Sequence, residues 1–268
     1  MQTQLPARAL TIAGSDNSGG AGIQADLKTF TAYRTYGMSV ITAVTAQNTL
    51  GVKSFVTMSP EFVVEQLDTI WTDIGVDAVK TGMLASPEII EALATYLKDH
   101  PIAHLVIDPV MIAKSGDPLL APEANRALKE MLLPLASVIT PNLPEASALL
   151  GRPVETREDQ KEAARMLHDL GPDWVVVKGG HLADDAIDIA FNGTEFYELR
   201  SERIRTRNTH GTGCTFSAAI TAGLALGRSV PEALHDAKAF ITEAIRQSFS
   251  IGQGHGPTNH LIENWKPA

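Results

Sequence analysis

Short apolar runs alternate along the chain with longer segments of helical periodicity. The runs are rich in β-branched residues and contain few polar breaks, which is typical of strands covered on both faces. Such alternation of strand and helix favours an open, mostly parallel sheet with helices on both sides, in one domain over residues 1–268. Strands are predicted at 9–13, 40–44, 78–81, 104–108, 137–140 and 174–178.

A weaker pair of alternating segments lies later in the chain, at 186–191 and 195–199. They are separated by Asn192, Gly193 and Thr194, which are residues typical of tight turns. This spacing predicts a β-hairpin at an edge of the sheet.

Three helices have a recognisable start signal. Ser59, Ser86 and Ser229 are each followed within two residues by proline and within three by glutamate. A serine N-cap, an early proline and an acidic first turn all favour the beginning of a helix. Apolar residues at helical spacing follow each signal, so each helix is expected to pack one face on the sheet.

Composition limits the possible partners. The chain has 268 residues and a formal net charge of −9, so nucleic acid is a poor partner. No apolar run is long enough for a membrane span, and residues 1–10 lack the pattern of a signal peptide. The single cysteine, Cys214, excludes an intramolecular disulfide, and we expect a cytoplasmic protein.

The strongest local signal is the segment NTHGTGCT at 208–215, which precedes a helix of small apolar residues. Its two glycines let the backbone turn tightly, and the helix start adds a partial positive charge. Together they predict an anion hole able to stabilise a phosphoryl group in transfer. An ordinary glycine-rich helix start is the alternative.

A second glycine-rich segment, AGSDNSGGAG at 13–22, joins the first strand to a helix that begins near Ile23. Its spacing fits neither a Rossmann fingerprint nor a Walker P-loop. The carboxyl end of a parallel strand is still a usual place for a ligand. Asp26, one turn further on, could serve the ligand or compensate the helix dipole.

Polar residues also follow three later strands. Asp108 ends one, Asn142 and Glu145 follow the next, and Lys178 ends another. Carboxylate oxygens suit Mg²⁺, whereas a capping box of Asn142 with Glu145 and a plain surface lysine are the alternatives. Because these strand ends meet at one edge of a parallel sheet, their convergence favours a ligand site.

Eight segments in this order resemble the hydroxymethylpyrimidine/phosphomethylpyrimidine kinases of the ribokinase-like superfamily. They are TIAGSD (11–16), GGAGIQAD (19–26), TAQNT (45–49), KTGML (80–84), DPVM (108–111), TPNLPE (140–145), KGGH (178–181) and HGTGC (210–214). The resemblance covers nearly the whole chain. It implies a three-layer α/β/α fold and the transfer of phosphoryl groups from ATP to 4-amino-5-hydroxymethyl-2-methylpyrimidine and then to its monophosphate, in thiamine biosynthesis.

The resemblance also implies roles for individual residues. Gln47 would hydrogen-bond the amino and ring-nitrogen edge of the pyrimidine, while Mg²⁺ would be held mostly through water. The phosphoryl group would lie against the glycine turn, and Cys214 would accept the proton of the alcohol. The implied sets are Gly14, Asp26, Gln47, Met83 and Val110 for the substrate, Gly211, Thr212, Gly213 and Cys214 for catalysis, Lys178 and Asn142 for the nucleotide, and Asp108 and Glu145 for the metal.

Two positions depart from common patterns. Many ribokinase-like enzymes carry aspartate where this chain has Cys214, and a thiol at a helix N-terminus can have a lowered pKa. Asn17 stands where pyrimidine kinases often have proline, and we expect it to change the stiffness of the loop more than the chemistry.

Several alternatives stay open at this point. A pyridoxine/pyridoxal kinase would share the chemistry, and a non-catalytic binding protein could share the fold. The sequence does not decide between one and two phosphorylation steps, or whether a monovalent ion assists. We expect a homodimer, as is common among superfamily relatives, and a possible lid at 115–118, where an ordinary turn is the alternative.

Overall fold

The computed structural model describes residues 5–111, 123–180 and 186–262. Its centre is a nine-stranded sheet in the order β3-β2-β1-β4-β5-β6-β7-β8-β9. The strands from β2 to β7 in this order are parallel, while β3 and the β8–β9 hairpin are antiparallel at the two edges. The strands are β1 (Arg8–Ser15), β2 (Tyr36–Asn48), β3 (Gly51–Thr57), β4 (Ala78–Thr81), β5 (Leu105–Ile107), β6 (Val138–Ile139), β7 (Trp174–Val177), β8 (Ala186–Phe191) and β9 (Phe196–Ser201).

Helices cover both faces of this sheet. On one face, α2, α3, α5 and α6 bury their apolar sides against Leu10 and Ile107. On the other, α1, α7 and α8 pack against Ala9 and Val106. Neighbouring residues of one strand thus serve opposite cores, which confirms the predicted three-layer arrangement. The helices are α1 (Gly22–Ala32), α2 (Pro60–Asp73), α3 (Pro87–Asp99), α4 (Ala124–Ala127), α5 (Leu143–Leu150), α6 (Arg157–His168), α7 (Thr212–Ala225) and α8 (Val230–Arg246).

The helix start signals are used as predicted. The hydroxyl of Ser59 accepts a hydrogen bond from the N–H of Phe62, and Ser86 does the same for Ile89. Ser229 forms a capping box with Glu232 at the start of α8. Each cap satisfies backbone N–H groups that have no partner within the helix.

One strand, β3, was not predicted from the sequence. β3 runs antiparallel to β2, and its residues are mostly exposed, so it lacks the continuous apolar run of a covered strand. Asn48 turns the chain between them by accepting a hydrogen bond from the N–H of Leu50. β2 also extends well beyond the predicted segment at 40–44.

The carboxyl ends of β1, β4, β5, β6 and β7 share one edge of the sheet because these strands are parallel. The loop at 115–118 and His181 of the predicted KGGH segment lie outside the described residues. Within the described part of the chain, no helix combines the length and apolar character needed to cross a membrane.

Candidate active site

A cavity of about 570 Å³ opens at this edge of the sheet. It confirms that the polar strand ends converge, since both glycine-rich segments and the ends of β4, β5 and β7 line it. Of the predicted site residues, those in its wall are Gly14, Gln47, Met83, Asp108, Val110, Asn142, Glu145, Lys178, Gly211, Thr212, Gly213 and Cys214.

The start of α7 forms the middle of this wall. Gly211 is its N-cap residue, with a left-handed backbone (φ +79°). A methyl group at Gly211 would overlap the carbonyl oxygen of Gly20, so only glycine fits there. No side chain caps the helix. Its first N–H groups have no partner within the helix, and they face the cavity together with the positive end of the helix dipole.

Gly213 brings this helix start next to a lysine and a carboxylate. A methyl group built on Gly213 would lie 3.3 Å from Lys178 Nζ and 3.5 Å from Asp108 Oδ2. The backbone amides and the ammonium group therefore bound the same small space. An anion placed there would meet two independent sources of positive potential.

Lys178 links two carboxylates. Its Nζ donates to Asp108 Oδ1 over 3.0 Å and lies 3.8 Å from Glu145 Oε2. Burial raises the pKa of Glu145 to about 7; Asp108 adds to this effect and Lys178 opposes it. Burial alone would lower the pKa of Lys178, but attraction to Asp108 and Glu145 outweighs burial and raises it. One ammonium group thus faces two acidic groups.

Asn142 and Glu145 also hold α5 in place. Asn142 Oδ1 accepts from the N–H of Glu145, and Glu145 Oε2 accepts from the N–H of Asn142. The capping box is therefore present, as the alternative interpretation predicted. Because both residues line the cavity as well, the cap fixes their direction toward it.

Cys214 follows Gly213 in the first turn of α7 and is half-buried. Burial raises the pKa of its thiol to about 12; the charges of Asp26 and Asp108 add to this, while Lys80 and the N–H of Gly22 oppose it. The expected lowering of the thiol pKa is therefore wrong for this structure. Desolvation and two carboxylates outweigh the helix dipole here.

Asp26 does not line the cavity, in contrast to its predicted role. It is fully buried, where it accepts hydrogen bonds from Thr11 Oγ1 (2.6 Å) and from Lys80 Nζ (2.8 Å). Burial raises its pKa and Lys80 opposes the rise. Asp26 lies inside α1 and faces β1 and β4, so the pair joins the helix to the sheet beneath the cavity.

Another part of the wall suits a flat ring. Met83 and Val110 belong to a small apolar cluster with Ala43, and a methyl group on Gly14 would come within 2.9 Å of Met83 Sδ. Gln47 supplies an amide group beside this surface. Its backbone N–H donates to Asn17 Oδ1 over 2.7 Å. Asn17 thus contacts the backbone of the predicted recognition residue, and its effect on the stiffness of the loop stays a prediction.

Sequence reasoning missed the pair of Asp16 and His210. His210 Nε2 lies 2.8 Å from Asp16 Oδ2 and ties the first glycine-rich loop to the second. Burial would raise the pKa of Asp16, but hydrogen bonds from His210 and Ser18 lower it to about 2. Asp16 belongs to the TIAGSD segment and His210 to the HGTGC segment. The sequence therefore indicated two candidate loops but not the contact between them.

A further part of the cavity was not predicted either. It lies between the β8–β9 hairpin and α8, where Lys238 Nζ is 2.8 Å from Asp188 Oδ2. Asp188 Oδ1 in turn accepts from the N–H of Gly179, next to Lys178. The periodicity of α8 indicated only a packing face. Other residues of this part are Ser201, Glu202, Arg203, Ile204, Ile241, Thr242 and Ile245.

A helix start without a side-chain cap, beside a lysine and two carboxylates at the carboxyl edge of a three-layer sheet, is typical of a small-molecule kinase of the ribokinase-like class. The comparison with protein families is more specific, since the phosphomethylpyrimidine kinase family matches residues 16–259. The chain belongs to the phosphomethylpyrimidine kinase family.

Relatives agree with this assignment. The chain is 48% identical over 256 residues to the hydroxymethylpyrimidine/phosphomethylpyrimidine kinase of Bacillus subtilis, covering 95% of this chain and 94% of that protein. It is 52% identical over 254 residues to the thiamine biosynthesis bifunctional protein ThiED of Geobacter sulfurreducens. That match covers 94% of this chain and 52% of the relative, so the chain spans about half the length of the bifunctional protein.

A solved structure has the same fold. A Bacillus subtilis pyridoxal kinase in complex with ADP superposes with a TM-score of 0.90 at 48% identity, covering 96% of this chain and 98% of that chain. The family and this neighbour together make the protein a kinase that uses a nucleotide.

Proposed function

We propose that the protein transfers the γ-phosphoryl group of ATP to the hydroxymethyl group of 4-amino-5-hydroxymethyl-2-methylpyrimidine, and then phosphorylates the monophosphate to the diphosphate. The observation that carries the proposal is one cavity shared by Gln47, the start of α7 and Lys178. A ring held at Gln47 has the phosphoryl site within the same cavity. The product would serve thiamine biosynthesis.

The alcohol would lie between the apolar cluster and Gln47. Met83, Val110 and Gly14 supply the surface for the ring, because Gly14 leaves room where a side chain would press on Met83. Gln47 supplies one acceptor and one donor for the amino and ring-nitrogen edge. Positioning of this kind converts binding energy into rate by orienting the attacking oxygen.

The phosphoryl group would pass along the start of α7. Its equatorial oxygens would accept hydrogen bonds from the amides of Gly211, Thr212 and Gly213, while Lys178 neutralises charge on the phosphates. Phosphoryl transfer depends mainly on positioning and electrostatic stabilisation. A single donor in such a hole is typically worth about 10²–10³ in kcat.

Asp108 and Glu145 fit Mg²⁺. They are hard oxygen donors, and the single ammonium group of Lys178 faces both carboxylates. A divalent cation would relieve this imbalance. The described residues contain no group of three or more His, Cys, Asp and Glu side chains arranged for a metal, so water and phosphate oxygens would complete the ligands. Bound there, Mg²⁺ would neutralise developing charge on the phosphates, and Asn142 would hold Glu145 toward it.

Cys214 would accept the proton of the attacking hydroxyl. With a thiol pKa of about 12, the sulfur is protonated at neutral pH, so its thiolate form would depend on the charges that assemble with the substrates. Lys80 already favours the thiolate. Because phosphoryl transfer passes through a loose transition state, the alcohol does not have to be deprotonated before it attacks, and the fraction of Cys214 present as thiolate can be small.

Pyridoxal phosphorylation is the second candidate function. It is favoured by the close superposition on a pyridoxal kinase at 48% identity. Coupled ADP release with each alcohol, followed by phosphorus NMR of the products, separates the two. We expect the pyrimidine to have the larger kcat/KM and to give both the monophosphate and the diphosphate.

Two results of that assay would change the assignment. Equal or faster turnover of pyridoxal would reverse the order of the two functions. Absence of ADP release with either alcohol, above an ATP-only control, would favour the non-catalytic alternative.

We also propose a homodimer in the cytoplasm. Val44 and Val56 pair across β2 and β3 and are both exposed. A second copy covering this edge of the sheet would remove them from water and would also protect an open strand edge.

A further inference from the structure

Asp16 is surrounded by hydrogen-bond donors. Its Oδ1 accepts from the N–H and the hydroxyl of Ser18, and its Oδ2 accepts from the N–H groups of Gly20 and Ala21. Asp16 is almost fully buried. Every one of these partners favours the ionised carboxylate, so a further neighbour of Oδ2 must also be a donor.

His210 is that further neighbour. Its Nε2 lies 2.8 Å from Asp16 Oδ2, so Nε2 must carry a hydrogen and donate it to the carboxylate. The Cδ2 edge of the ring packs so closely on Gly20 that a methyl group built on that glycine would overlap it. The N–H of His210 donates to the carbonyl of Gly256 and fixes the backbone as well.

Gln47 meets the same nitrogen. The structure places its amide nitrogen, Nε2, 3.3 Å from His210 Nε2. An NH₂ group at that position would face the N–H of the imidazole, donor against donor. A half-turn of the amide exchanges its nitrogen and oxygen, so that Oε1 becomes a second acceptor of the Nε2–H, shared with Asp16 Oδ2, and the NH₂ group points the other way. The backbone N–H of Gln47 donates to Asn17 Oδ1, which holds the strand in place, so the change falls on the side-chain amide.

We propose that His210, held by Asp16, is a positioning residue that fixes which end of the Gln47 amide accepts and which end donates, and thereby determines ring specificity. The inference rests on the proposed function. With Oε1 beside His210, the amide offers an acceptor to an amino group and a donor to an unprotonated ring nitrogen. The corresponding 4-oxo ring presents the reverse pattern, a carbonyl acceptor and a ring N–H donor. Flipping that ring over to match the amide would move the neighbouring hydroxymethyl group away from the phosphoryl site.

The same residue joins recognition to catalysis. His210 directly precedes Gly211, the N-cap of α7. The Gln47 amide is therefore connected, through the His210 side chain and one peptide bond, to the helix start that would receive the phosphoryl group.

The test compares 4-amino- and 4-oxo-5-hydroxymethyl-2-methylpyrimidine in four proteins. These are wild type, His210→Phe, which fills the ring space without a donor, His210→Gln, which restores an N–H donor toward Asp16, and His235→Ala, a control on the exposed side of α8. We expect wild type and H235A to prefer the amino ring by at least about 100-fold in kcat/KM, as expected when a polar site rejects a mismatched hydrogen-bonding pattern.

In His210→Phe the preference should fall at least about tenfold, mainly through a higher KM for the amino ring, because the amide is free to turn. His210→Gln should recover most of it. A merely structural role would lower turnover of both rings alike. An unchanged preference in His210→Phe, with thermal unfolding showing a folded protein, overturns the inference.

Calorimetric binding of both rings separates this inference from the proposed function. If wild type binds the amino ring selectively and His210→Phe does not, the positioning role holds even without turnover, and only the proposed function fails. Equal binding of both rings by wild type, or binding of neither, overturns the inference.

Discussion

Three ionisable side chains that line the cavity have pKa values far from their usual ranges, for different physical reasons. Burial raises the pKa of Glu145 to about 7 and that of Cys214 to about 12. Asp16 is also buried, but hydrogen bonds from His210 and Ser18 lower its pKa to about 2. The balance between desolvation and donated hydrogen bonds therefore decides the charge of each group.

Glu145 gives a prediction for stability against pH. Because its folded pKa lies above the ordinary value of 4.5, the folded state holds the proton more tightly. The stability from this proton is complete below about pH 4.5 and is lost as the pH rises through 7. Glu145→Gln stays neutral at every pH. Without divalent cations, its free energy of unfolding relative to wild type should therefore rise by about 2 kcal/mol from pH 5 to pH 8.

Thermal unfolding of Glu145→Gln at the two pH values measures this gain. Glu65→Gln, at an exposed position of α2, is the control and should show no such change. An equal effect of Glu145→Gln at both pH values would contradict the raised pKa.

Cys214 gives a prediction for turnover. Cys214→Ala should keep weak activity, with kcat lowered about 100-fold, because a positioned base contributes about 10²–10⁴. Since the thiol pKa is about 12, the thiolate fraction grows tenfold for each unit by which the pH rises, as long as the pH stays below that value. The rate of wild type should therefore rise from pH 7 to pH 10, while that of Cys214→Ala stays flat. A variant that turns over at the wild-type rate in the coupled ADP assay would remove Cys214 from the role of base.

At the scale of residues, the sequence predicted a side chain's position when its own strand fixed that position, and failed when contacts with distant residues fixed it. Lys178 and Asp108 could be placed because both end parallel strands. The burial of Asp26 could not, because it results from contacts with Thr11 and Lys80, which are far apart in the sequence. The contact of Asp16 with His210 spans 194 residues and has no local signal.

At the scale of elements, α7 is the part on which the site depends most. Its predicted start is confirmed, because two glycines and a following run of small apolar residues leave few other conformations. β4 was predicted residue for residue because it is covered on both faces. β3 was missed because an exposed edge strand carries no such pattern.

The two ends of α7 offer a matched pair of variants. Gly211 and Gly227 both have a positive φ, but a methyl group at Gly211 would overlap Gly20, whereas Gly227 has open space around it. Gly227→Ala should cost about 1 kcal/mol and leave kcat unchanged. Gly211→Ala should cost more and lower kcat strongly, because the loop carrying Gly20 must move.

Unfolding curves and kcat for both variants check this prediction. Equal loss of stability, with activity kept in Gly211→Ala, would show that the turn is not held as described.

At the scale of the molecule, the order of strands and helices gathers distant segments into one cavity. The class of fold follows from the alternation of strands and helices, and the convergence at the sheet edge follows from their parallel direction. The part of the cavity near Asp188 and Lys238 did not follow, because a helix face that lines a cavity has the same periodicity as one that packs. The single domain and the cytoplasmic location stay predictions.

The homodimer is testable at its proposed edge. Val56→Glu places a charge on an exposed apolar position of β3 and should shift the protein from dimer to monomer in sedimentation velocity, since burying a charge is costly. Lys53→Glu, at another exposed position of the same strand, should weaken association less. Wild type that sediments as a monomer at assay concentrations would contradict the homodimer.

The most direct test of the whole account is the kcat of Gly213→Ala. Gly213 has an ordinary helical backbone, so alanine should keep or slightly raise stability, while its methyl group would enter the space beside Lys178 Nζ. We predict a fall in kcat of about 100-fold or more, with the dissociation constant of the pyrimidine changed less than about twofold. A kcat within about twofold of wild type would mean that the phosphoryl group does not pass the start of α7.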